Sequence, residues 1–89
     1  MKAKVLVVED SKEQRKAISS SLASRGYDVR SVGGGLEALK SIKGDPPDVV
    51  ILDVVLDDLD GYSVCRWLRL TESTRDIVVI MLTVWIMSK

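Results

Sequence analysis

Three near-continuous apolar runs mark the chain: VLVV at 5–8, VVIL at 49–52 and IVVIML at 77–82. Short runs rich in Val and Ile fit strands buried on both faces, as in a parallel sheet, rather than half-exposed strands that alternate. YDVRSV at 27–32 does alternate, which suits a more peripheral strand. Helix-length segments lie between these runs, with start and stop signals at their ends. Ser11 followed by Gln14 is a capping-box pattern, and Gly26 stands where the helix beginning there should stop. Ala17, Ile18 and Leu22 give that helix an apolar stripe. GLEALKSIKG at 35–44 repeats the helical spacing with Leu36, Leu39 and Ile42, and ends before Pro46 and Pro47. Asp60 is a good N-cap for a third helix with Val64, Cys65 and Leu68 on one face. The order β-α-β-α-β-α-β predicts an α/β fold, with parallel strands joined by right-handed crossovers.

Length and composition narrow this further. Eighty-nine residues allow one domain, and so short a chain buries only about 60–65% of the surface its unfolded form exposes. Thirteen basic and thirteen acidic residues balance, which argues against a protein that coats nucleic acid through clustered Lys and Arg. There is no His, so the commonest zinc ligand and the usual near-neutral proton shuttle are both missing. The single Cys65 excludes an intrachain disulfide and suits a reducing cytosol. IVVIMLTVWIM at 77–87 is well short of a membrane-spanning helix. The expectation is a soluble, cytoplasmic chain with no membrane partner.

The acids at the strand ends carry the chemistry. Sites in open parallel sheets form beyond the carboxyl ends of the strands, where strand order reverses. The first strand ends in Glu9 and Asp10, the third in Asp53 and the fourth in Thr83. If the first and third strands are neighbours, these carboxylates converge and repel, and a hard divalent cation such as Mg²⁺ relieves the repulsion. The Val55 backbone carbonyl, two residues past Asp53, would offer another oxygen. Asp57, Asp58 and Asp60 would extend the acidic pocket. Gly33, Gly34 and Gly35 lack both the G-x-G-x-x-G spacing and a following Lys-Ser/Thr, so they are neither a dinucleotide nor a P-loop signature. Haloacid-dehalogenase-like phosphatases need a second Asp where this chain has Val55.

VLVVEDS, VVILDVVLDDLDGYSVCRWLR and IVVIMLT together resemble the receiver domain of two-component response regulators. An acidic pair closes the first strand, an Asp closes the third, Asp-Gly opens the third helix, and a hydroxyl lies thirty positions past that Asp. The resemblance covers residues 2–83 and implies a flavodoxin-like parallel sheet in the strand order 2-1-3-4. It also implies Asp53 as the phosphate acceptor, Thr83 as a contact to a phosphoryl oxygen, and Mg²⁺ held by Asp10, Asp53 and the Val55 carbonyl. Glu9 would reach the metal through water or from just outside it. The implied partner is a sensor histidine kinase or a phosphotransfer protein, and the module is a signalling domain rather than an enzyme.

Two departures qualify the resemblance. Asp57 stands where the family usually has proline. The chain also stops about six residues past Thr83, before the fifth strand, its lysine and the last two helices that a receiver carries. The expectation is therefore a single truncated receiver domain over 1–89, with an atypical hydrophobic tail at 84–89. The fourth strand becomes an exposed edge, and the sheet face beside the first helix is left bare. A homodimer or higher oligomer through that edge and the tail is expected. The alternative function is a non-signalling fragment that serves as a dimerisation or protein-interaction module. Direct binding of nucleic acid is not expected.

Overall fold

The computed structural model describes residues 2–82. Its elements are β1 (Lys4–Val8), α1 (Lys12–Ser24), β2 (Asp28–Val32), α2 (Gly35–Gly44), β3 (Val49–Asp53), α3 (Gly61–Leu70) and β4 (Val78–Leu82). The four strands form one parallel sheet in the order β2-β1-β3-β4. This is the predicted order. Val7, Ile51 and Ile80 stand side by side across three strands, as do Val8, Leu52 and Met81 one residue on.

Neighbouring residues of a strand face opposite sides of a sheet, so the two rows pack against different layers. Leu6, Val8, Val50 and Leu52 join Ala38 and Ile42 of α2 and Val64 and Leu68 of α3 in one buried cluster. Cys65 and Trp67 pack at its margin as partial core. The Lys43 ammonium lies 5.4 Å from the centre of the Trp67 ring, within reach of a cation–π attraction.

The opposite face is thinly covered, as expected for the face beside the first helix, although the apolar run of β4 taken alone suggests burial on both sides. Only β1 is buried along almost its whole length, whereas Val78 and Ile80 of β4 are about half exposed. No residue of α1 is buried either, although Ala17, Ile18 and Leu22 do form a stripe. The reason is coverage. Among the described residues α1 is the one helix on this face, and a groove of about 390 Å³ opens between its stripe and Ile51, Ile80 and Leu82.

Helix ends follow the predicted punctuation. Ser11 Oγ accepts from the Gln14 N–H at 3.3 Å, and Gly26 takes the left-handed conformation past the end of α1 (φ +95°), which glycine adopts without steric cost. The second half of the predicted capping box is replaced. Glu9 Oε2, rather than the Gln14 side chain, accepts from the Ser11 N–H at 3.0 Å.

Candidate functional site

The chain leaves β1 toward β2 on one side and returns to β3 on the other, so strand order reverses between β1 and β3. That is where the carboxyl ends of a parallel sheet open a crevice. Three acids meet there. One carboxylate oxygen from each of Glu9, Asp10 and Asp53 lies within 4.8 Å of the others.

Each acid is held by a local device. Glu9 is 2% exposed; its backbone carbonyl accepts from Arg15 Nη1 at 2.9 Å and its N–H donates to the Val32 carbonyl at 3.2 Å. Asp53, also buried, has one carboxylate oxygen fixed by the Val55 N–H at 3.2 Å, and sits beside Leu82 across the β3–β4 ladder. Asp10 is half-buried and stands at the start of the turn into α1.

The electrostatics of the cluster are unbalanced. Burial pushes the Glu9 carboxyl up to about 7; the Ser11 N–H pulls against this, and the adjacent Asp53 and Asp10 carboxylates add to the rise. Desolvation and like charges both disfavour the ionised form. A proton or a cation relieves the same repulsion. The donors are all carboxylate oxygens, the set that hard divalent cations take, so the residues present fit such an ion.

The loop after Asp53 is set by glycine. A Cβ on Gly61 would lie 2.5 Å from the Asp53 carbonyl oxygen and 2.9 Å from the Val54 Cα. Glycine thus lets the first turn of α3 rest on the backbone of the acid, with the Gly61 N–H donating to the Val54 carbonyl at 2.8 Å. Asp60 caps α3 through the Ser63 N–H at 2.8 Å.

The wider acidic pocket expected from sequence is not formed. Asp57 is exposed and outside the cluster, and Asp60 is engaged in its cap. Asp58 turns the other way, accepting from Gly35 N–H at 2.8 Å and Leu36 N–H at 3.0 Å. It caps α2 from a distant loop, a role missed in the sequence. The available signal was Gly34, an N-cap with no side chain to offer. A Cβ at Gly34 would meet the Asp58 carboxylate at 2.9 Å, so the glycine also makes room for its substitute. Val55 is 73% exposed and contributes backbone rather than packing. Thr83 lies outside the described residues.

A parallel sheet in this order with an acidic trio at its switch point defines a class. The family model described as response regulator receiver domain matches residues 5–89, and the chain belongs to that family. Response regulator MprA of Mycobacterium ulcerans (strain Agy99) is 41% identical over 80 residues, which are 90% of this chain and 34% of that protein. The chain thus spans about a third of the length of the curated relatives it matches. Among solved structures, chemotaxis response regulator CheY4 of Vibrio cholerae superposes with a TM-score of 0.92 at 31% identity, over 97% of this chain and 72% of that one. The receiver domain of sensor histidine kinase PA1611 from Pseudomonas aeruginosa PAO1 gives 0.87 at 35% identity, over 93% and 68%. That structure has a magnesium ion coordinated in its active site cleft. The flavodoxin-like fold read from the sequence is the fold of these receivers.

Proposed function

We propose that the chain is the receiver module of a two-component phosphorelay, accepting a phosphoryl group on Asp53 with Mg²⁺ held beside it. The observation that carries this reading is the convergence of Glu9, Asp10 and Asp53 at the strand-order reversal. The magnesium-bearing cleft of the PA1611 receiver supports the choice of metal. Asp10, Asp53 and the Val55 carbonyl would hold the ion, with Glu9 reaching it through water or from just outside. When bound, Mg²⁺ offsets the repulsion between a carboxylate and an incoming phosphate.

The rest of the step belongs to the protein. The Val55 N–H fixes one oxygen of Asp53 and leaves the other to attack phosphorus in line. The bond to the donor, the P–N bond of a phosphohistidine, breaks as the aspartyl phosphate forms. Phosphoryl transfer depends mainly on such positioning and on charge neutralisation. Thr83, directly after the residue that pairs with Asp53, would donate to a phosphoryl oxygen. The donor is a sensor histidine kinase or a phosphotransfer protein, and on this reading the chain works in the cytoplasm as a signalling domain.

Acetyl phosphate with Mg²⁺, followed by intact-mass measurement, tests the proposal. One phosphoryl adduct should form, fail to form when a chelator is present from the start, and be absent from Asp53→Asn. No adduct under any of these conditions would reject it in favour of a non-signalling interaction module.

The half-exposed Val78 and Ile80 beside the apolar groove support a second element of the reading, self-association through the β4 edge and residues 84–89. The unpaired backbone of an edge strand is a template for another strand.

A further inference from the structure

A second cleft of opposite character lies on the far side of α1. It is lined by Lys12, Arg15, Lys16, Ser19 and Ser20 of α1 and by Ser31 of β2, the strand at the other edge of the sheet, and measures about 290 Å³. Residues 12, 15/16 and 19/20 recur at three- and four-residue spacing, which puts them on one face of the helix. No carboxylate among the described residues lines the cleft. Among the described residues the ion pairs are Lys4–Asp45, Arg30–Asp45 and Glu72–Arg75, so all three cations of the cleft are without an acidic partner. Glu37, close to Arg15 beside Gly33, accepts from the Gly33 N–H at 3.2 Å and makes no ion pair with Arg15. In a chain whose charges balance overall, three cations outside any ion pair around one concavity are a local excess.

The hydroxyls add a second, independent observation. Ser19 Oγ is buried without a hydrogen-bond partner among the described residues, a condition few polar atoms in folded proteins tolerate. Its side chain borders the cleft, and a change of rotamer would offer that hydroxyl to an acceptor there. Arg15 spends one N–H on the Glu9 carbonyl and keeps four of its five donors. Ammonium, guanidinium and hydroxyl donors around a small concavity are what a tetrahedral oxyanion requires. Among the described residues the cleft has no aromatic side chain, so they offer no platform on which a base would stack. Its volume is at the low end for ligand sites.

We propose that this cleft binds a phosphoanion, the phosphate or diphosphate group itself rather than a nucleoside attached to it. Lys12, Arg15 and Lys16 supply the charge, and Ser19, Ser20 and Ser31 the hydroxyl donors. The site is separate from the acidic crevice and does not depend on chemistry at Asp53. Arg15 joins the two, because the guanidinium that lines the cleft also holds the backbone of Glu9.

The same headgroup chemistry is found on a free ion and on a phospholipid, and the test separates the two sources. The 89-residue chain is titrated with inorganic pyrophosphate in Mg²⁺-free buffer and followed by amide NMR. In a second arm it is sedimented with vesicles of phosphatidylcholine alone or with phosphatidate. The variant is Lys12→Gln/Lys16→Gln, at two exposed positions, and its unchanged amide spectrum elsewhere shows that it folds. Expected are saturable shifts at residues 12–20 and 31–33, weakened at least tenfold in the variant. Saturation by pyrophosphate alone assigns a free anion. Phosphatidate-dependent sedimentation that the variant abolishes assigns a lipid headgroup. Shifts that do not saturate and no phosphatidate-dependent sedimentation, or binding that survives in the variant, overturn the proposal.

Discussion

Gly61 shows how one missing methyl positions a carboxylate. The first turn of α3 sits so close to β3 that a Cβ at this position would press on the Asp53 carbonyl oxygen, backbone that cannot rotate away. Gly61→Ala should therefore cost about 1–3 kcal/mol, the usual range for overpacking, read as a lower urea midpoint. It should also slow formation of the acyl phosphate, because relief of the clash displaces the strand end that presents Asp53. A variant with unchanged stability and unchanged phosphorylation would show that the close approach is not needed. Glu9 makes the complementary point. It is buried among like charges, yet one of its oxygens accepts from Ser11, so it ties α1 to the crevice as well as adding to its negative potential.

At the scale of elements, α2 begins without a cap of its own and borrows Asp58. Hydrogen bonds from Leu36, Gly35 and Leu59 hold the Asp58 carboxyl below the ordinary carboxylate value of 3.8. A carboxylate whose folded pKa is depressed contributes stability that is present above the unfolded value and is lost as pH falls through the folded one. Asp58→Asn should thus lower the urea midpoint at neutral pH, and the difference from the unaltered chain should vanish well below pH 3.8. A difference that persists in acid would locate the effect in packing rather than charge. This cap also marks where sequence reading stopped. Strand and helix order, the two N-caps at Ser11 and Asp60, and the meeting of Glu9, Asp10 and Asp53 follow from local pattern and strand-end position. Asp58 reaching a helix more than twenty residues away is a tertiary contact with no local pattern. The exposure of Val78 and Ile80 was legible only through the expected bare face beside the first helix, not through their own pattern. Composition makes a strand apolar on both faces, but whether both are covered depends on the helices laid over them.

For the whole molecule, the sheet is covered unequally among the described residues: α2 and α3 close one face, and α1 alone stands over the other. Sedimentation velocity at micromolar concentration should show self-association if the β4 side pairs with a second copy. Ile80→Lys, which places a charge in the bare apolar row, should shift the chain to monomer without loss of fold. A stable, well-folded monomer at that concentration would sink the proposed assembly. The Asp58 link carries a consequence of another kind. The loop that follows Asp53 supplies the acceptors for the first amides of α2, so those amides are protected from solvent only while the loop keeps its place. Hydrogen exchange at Gly35 and Leu36 therefore serves as a clock for opening of the β3–α3 loop, readable without any label near Asp53. Slower exchange on addition of Mg²⁺ would mean that the cation steadies a segment reaching well beyond the crevice.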